Sequence, residues 1–172
     1  MIAGIDSGLK GAIAVIEGPK VVRIQDFPTY KTVINKKERS VLDLVKLVPM
    51  IQDLSSCECV FLEKLQPFAN PKSSFSANFS LGYCRGVLEA FLLIFKVRYE
   101  YVTAIEWQKS FGVVRPKGDK KWKTKGPVYG IASKLFPEAE LVTPRGRLLD
   151  GRSDALLIAE WGKRQLGGKN VV

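Results

Sequence analysis

At 172 residues with 46% hydrophobic side chains, the chain has material for one compact domain, spanning 1–172, and its longest purely apolar run, residues 90–95, is far too short to cross a bilayer. A balance of 27 Lys and Arg against 17 Asp and Glu gives a net charge of +10, the footprint of a protein that meets nucleic acid and not a membrane. Histidine is absent, and the three cysteines, Cys57, Cys59 and Cys84, contain one close pair, which disfavours zinc or a disulfide framework and implies reduced, mostly buried thiols.

Three short β-rich runs, residues 1–6, 11–16 and 21–27, are separated by Gly-containing turns and read as an antiparallel meander. Val41, Leu44, Val45 and Val48 recur at helical spacing, which predicts a helix over 38–54 kinked or split at Pro49. Residues 59–63 read as a fourth strand. A long helix is expected over 73–95, with Phe75, Phe79, Gly82, Gly86, Leu88, Ala90 and Leu93 as a small-and-apolar face suited to a sheet. A fifth strand over 98–103 follows, then a short helix holding Trp107 and Phe111. Another helix starts at Gly126 or Pro127 and stops at Phe136-Pro137, and a last amphipathic helix covers 153–166. Strands first and helices interleaved later define an α/β domain. No leader of basic then apolar residues opens the sequence, so the expected location is the cytoplasm, a mature organellar form being the alternative.

Two acids stand in costly places. Asp6 closes the apolar run Ile2-Ala-Gly-Ile5 and Glu63 closes Val60-Phe-Leu62, each at the C-terminal end of a predicted strand. A buried carboxylate is expensive unless it is paired, hydrogen-bonded or bound to a metal. Without histidine, oxygen-only ligation selects a hard cation, Mg²⁺ or Mn²⁺. Near the other end, Asp150 and Asp154 share a helix face if Asp150 begins the last helix. The plain alternative makes Asp150 a helix cap or turn residue and Asp154 an ordinary first-turn acid. A cluster of three or four carboxylates on a basic protein is what two-metal phosphodiester hydrolysis requires.

These acids stand in motifs that resemble those of RuvC-type Holliday-junction resolvases of the RNase H-like superfamily: Asp6 in GIDSGLKGAIAVI, Glu63 in VFLEKLQPFAN, and Asp150 with Asp154 in DGRSDALLIA. The segment after Glu63, down to the Leu81-Gly82-x-x-Arg85-Gly86 spacing, is similar to the resolvase stretch leading into its long central helix. The motif form is closest to the phage and chloroplast-like branch. The resemblance implies a five-stranded mixed sheet, order 3-2-1-4-5, flanked by helices. It also implies a metal-dependent endonuclease of DNA recombination and repair that acts on four-way DNA as a homodimer. Two divalent ions per active site would be held by Asp6, Glu63, Asp150 and Asp154. A dimer suits the near two-fold symmetry of a junction, because two related sites can nick two strands of like polarity.

The basic stretch 115–125 supplies candidate backbone contacts in Arg115, Lys117, Lys120, Lys121, Lys123 and Lys125. Trp122 among them either anchors the loop or stacks on an exposed base. Phe68 resembles the resolvase wedge aromatic, the alternative being an apolar side chain tucked under its turn; Gln66 and Asn70 flank it and are candidates for base or sugar contacts. Arg85 either contacts phosphate or pairs with Glu89 at i, i+4. Arg152, between the two aspartates, balances their charge or stabilises a transition state.

Other readings compete. A RuvC-like nuclease for flaps, forks or viral replication intermediates has the same sequence features. Asp6-x-Gly8 before a hairpin also resembles the phosphate motif of sugar kinases and actin-like ATPases, but those need a second lobe. A non-catalytic junction-binding module accounts for the charge and leaves the strand-end carboxylates unexplained.

Overall fold

The computed structural model describes residues 1–34, 36–64, 74–114 and 125–169. Gln66, Phe68, Asn70, Arg115, Lys117, Lys120, Lys121, Trp122 and Lys123 lie outside the described residues. The strands β1 (Ile2–Ile5), β2 (Ala12–Glu17) and β3 (Lys20–Asp26) form the expected meander, followed by β4 (Thr29–Ile34) and β5 (Lys37–Leu42). Then come α1 (Leu44–Gln52), β6 (Cys59–Lys64), α2 (Phe75–Ile94), β7 (Tyr99–Thr103), α3 (Ala104–Ser110), α4 (Lys125–Leu135) and α5 (Asp150–Lys169).

The main sheet has the order β3-β2-β1-β6-β7, antiparallel across β1–β2–β3 and parallel across β1–β6–β7. This is the expected 3-2-1-4-5 once β4 and β5 are left out of the count. Among the described residues, those two strands pair only with each other. They overturn the reading of residues 38–42 as helical: Lys37–Leu42 lies antiparallel to Thr29–Ile34, with Tyr30 opposite Val41. The helix begins at Leu44 because Asp43 caps it, its carboxylate accepting the Lys46 N–H at 3.2 Å. It runs on through Pro49 to Gln52, where a 3₁₀ turn over Asp53–Ser56 takes over.

Strand β1 is central, and its four residues are all buried, as expected of a strand covered on both faces. Its side chains alternate between two cores. Ala3 and Ile5 join Leu47, Ile51, Leu88 and Leu92 beneath α1 and α2, whereas Ile2 joins Phe61, Trp107, Val128 and Leu157 beneath α3, α4 and α5. Cys59 and Phe61 of β6 likewise face α5, and Val60 and Leu62 face α2. Helix α5 sits directly on β1. A Cβ added at Gly4 would lie 2.2 Å from the Ala155 carbonyl oxygen and 2.4 Å from the Ala159 nitrogen, so only glycine permits this approach.

Of the face expected to anchor α2 on the sheet, Leu88 is buried and the other six residues are exposed. Cys84, Leu88 and Leu92 are buried, while Phe75 is 88% exposed, Phe79 69% and Leu93 65%, and Gly82, Gly86 and Ala90 are open to solvent. Two apolar stripes share this helix, and its period alone does not say which one meets the sheet. Cys57, Cys59 and Cys84 are free thiols. Among the described residues, no helix is long and apolar enough to cross a membrane.

Candidate active site

Strand alternation delivers the first two acids. Counting from β1, Ile2, Gly4 and Asp6 point toward α5; counting along β6, Cys59, Phe61 and Glu63 do the same. The two strands are parallel with Ile5 beside Leu62, so Asp6 and Glu63 are next in register at the same end of the sheet. The loop after β1 is tied to β6 by buried Ser7, whose hydroxyl donates to the Glu63 carbonyl oxygen at 3.1 Å. Asp6 itself accepts the Gly8 N–H at 3.3 Å.

Helix α5 delivers the other two. Asp150 is its first residue, inside the helix and not before it as a cap, and Asp154 follows one turn later on the same face. Gly151 lets that first turn touch the Asp6 loop: a Cβ there would lie 2.4 Å from the Lys10 carbonyl oxygen and 3.2 Å from Asp6 Oδ2. The start of α5, three residues earlier than its apolar pattern suggests, is therefore the part that reaches the strand-end acids.

The four carboxylates interact electrostatically. Burial pushes Asp6 from 3.8 up to about 7, with further raising from Glu63 and Asp150 and an opposing effect from the Gly8 N–H. Asp154 rises to about 8 through burial and then through Asp6, Glu63 and Asp150; Lys125 acts against the rise. Burial also raises Glu63, against a hydrogen bond from Trp107, whose indole N–H donates to Glu63 Oε1 at 3.0 Å. Each acid keeps some solvent-accessible surface, but the surrounding protein is deep enough for desolvation to be the first cause of every shift. Among the described residues, no three of these side chains close into a ready-made ligand cage.

Lys125, the first residue of α4, pairs with Asp150. Arg152 is drawn away from the acids: its guanidinium grips Asp26, at the end of β3, at 2.8 and 3.2 Å and donates to the Glu140 carbonyl oxygen at 3.0 Å. Arg85 pairs with Glu89 and lies over the Tyr101 ring, 5.0 Å from its centroid. Reading the sequence missed Trp107, Ser7 and the two contact glycines. A buried indole must find an acceptor, so Trp107 carried a signal that something polar lay near it, but not what.

With the geometry in view, comparison with known proteins is informative. No family model matches the chain, and no curated protein matches it. Solved structures do match, two of them of RuvC. Thermus thermophilus RuvC in complex with a Holliday junction substrate is 12% identical, with a TM-score of 0.54, covering 95% of this chain and 94% of that one. A second Thermus thermophilus RuvC structure is 13% identical, with a TM-score of 0.53, covering 95% of each chain. The protein has the RuvC-type, RNase H-like fold.

Proposed function

We propose that this protein is a metal-dependent endonuclease that resolves four-way DNA junctions by paired symmetric nicks. The observation that carries the reading is the convergence of Asp6, Glu63, Asp150 and Asp154 at one end of the sheet in a protein of net charge +10. Uncompensated acids would repel the phosphates that the rest of the surface attracts. The donor set fits a hard divalent cation: every donor is a carboxylate oxygen, and burial first, with mutual repulsion added at Asp6 and Asp154, holds three of the four toward their neutral forms. Asp6, Glu63 and Asp154 would form the inner set, with Asp150 at the mouth beside Lys125. The chemistry supplied by two such ions is activation of water and stabilisation of the leaving oxygen, giving 5′-phosphate and 3′-hydroxyl ends.

The residues contribute position and charge. Asp6 and Glu63 project from adjacent strand ends, which a hydrogen-bonded sheet holds rigidly. Lys125 offsets Asp150 and stands where it can meet a phosphate oxygen. Arg85 and Arg152, both in ion pairs, would have to exchange partners to touch DNA. Gln66, Phe68, Asn70, Trp122 and the cations of 115–123 keep their assignment to DNA on sequence position. The fold shared with a RuvC solved on a Holliday junction substrate supports a junction as the substrate.

The exposed face of α2 supports a homodimer. Around Gly86, Gly82 and Ala90 stand four residues away on either side, and Phe79 and Leu93 seven. Two antiparallel copies crossing at Gly86 on a two-fold axis would set Phe79 of one against Leu93 of the other, with small residues where the backbones approach.

The test is a labelled four-way junction beside a matched linear duplex, each with Mg²⁺, Mn²⁺ or EDTA. Metal-dependent paired nicks near the branch point are expected, and Asp6→Asn or Glu63→Gln should lower cleavage by at least about 10²–10³-fold while leaving junction binding intact. Unchanged cleavage in either variant removes the site assignment. Binding without cleavage by the wild type would make the protein an architectural module, and preference for flaps or forks would move the substrate to other branched DNA.

A further inference from the structure

Glu63 has one neutral neighbour that carboxylate chemistry leaves unexplained. Trp107 is 1% exposed and belongs to the core beneath α5, yet its single polar atom is spent on Glu63 Oε1 at 3.0 Å. Backbone carbonyls are the usual acceptors for a buried indole. Here the acceptor is an acid at the strand end where the candidate site lies.

The local structure fixes this contact from two directions. In the parallel register of β6 with β7, Glu63 sits beside Val102 and Lys64 beside Thr103. Thr103 then caps α3 in a reciprocal capping box: its hydroxyl accepts the Glu106 N–H at 3.3 Å, and Glu106 Oε2 accepts the Thr103 N–H at 2.7 Å. Trp107 follows within the first turn. The strand and the helix start are both locked, so the indole N–H is held against one carboxylate oxygen. Glu63 Oε2 has no hydrogen-bond partner among the described residues.

We propose that Trp107 is a positioning residue for cation binding. By holding Oε1 it fixes the rotation of the Glu63 carboxylate, leaving Oε2 as the oxygen offered to a divalent ion shared with Asp6 and Asp154. The inference rests on the proposed function of that site. A neutral donor suits the task, because a lysine or arginine in its place would neutralise Glu63 and compete with the metal. An indole orients the acid and leaves its charge available.

The experiment separates this role from plain core packing. The protein has three tryptophans, so its ¹H–¹⁵N spectrum holds three indole signals, and Trp107→Phe assigns the one that disappears. In the wild type, that signal should move when Mg²⁺ is added and when Glu63 is replaced by Gln. Calorimetric Mg²⁺ affinity should fall about 10–100-fold in Trp107→Phe. Trp107→His, which restores a ring N–H, should recover part of the loss, and Trp107→Phe should add nothing in a Glu63→Gln background. A Trp107 signal indifferent to Mg²⁺ overturns the inference even if Trp107→Phe fails to fold. So does wild-type Mg²⁺ affinity in a folded Trp107→Phe protein with a lowered melting temperature. If Glu63→Gln itself binds Mg²⁺ like the wild type, the reading of the whole site fails, and the inference with it.

Discussion

Replacing Asp154 by Asn should stabilise the metal-free protein, increasingly so as pH rises. In the folded chain Asp154 titrates near 8, and its ordinary value is 3.8. Below pH about 4 it is protonated in both states, so the substitution changes little on this account. Between about 4 and 8 the unfolded chain loses the proton while the folded one keeps it, and the folded state loses stability at about 1.4 kcal/mol per pH unit. Above pH about 8 the penalty is complete. A rise of about four pH units sets a ceiling on the order of 5 kcal/mol. Because side-chain relaxation and water entry soften the cost of a buried charge, the gain in Asp154→Asn at pH 9 should be roughly 2–3 kcal/mol. For a chain of this length that is roughly 5–10 °C in melting temperature. Circular dichroism melts in EDTA from pH 4 to 9 measure it directly. The gain should be small at pH 4 and grow to a plateau, and Mg²⁺ should reverse the order by stabilising only the wild type. A gain independent of pH, or a loss at pH 9, would refute the account of Asp154 as an acid ionised against its surroundings.

Lys125→Ala should cost less than about 1 kcal/mol of stability, because its partner pair is largely exposed, yet it should weaken cleavage and move the onset of Mg²⁺ binding to higher pH, since Lys125 opposes the rise at Asp154. Gly151→Ala should destabilise by about 1–3 kcal/mol in a thermal melt and impair cleavage, because the new methyl group would force α5 away from the Asp6 loop. Gly86→Arg should leave the melting of the monomer almost unchanged, nothing lying within 4 Å of a Cβ there, but should abolish dimers in sedimentation analysis.

How far these features were legible in the sequence depends on the range of the interaction. Asp6 and Glu63 stood out because each breaks an apolar run whose period of two assigns its side chain to a face, and that periodicity is local. The five core strands were equally accessible from short apolar runs between turns, whereas their order came through the motif resemblance. Residues 38–42 misled, since Val41 belongs as well to a helix pattern as to a strand, and only pairing with 29–34 decides between them. Helix α2 carries apolar residues on two sides, and its Phe75–Phe79 side faces outward because the Leu88 side fills the space over the sheet.

By itself, then, the sequence determined the α/β class, the basic surface and the acids that close two strands, because composition and short periodicities are properties of a few neighbouring residues. Only the tertiary structure decided that Gly4 and Gly151 bring α5 onto β1, that Arg152 is spent on Asp26 and Lys125 on Asp150, and that Trp107 meets Glu63 across 44 residues of chain. Those pairings depend on how closely two elements approach. That distance is set by the packing of all the side chains between them, which no local pattern encodes.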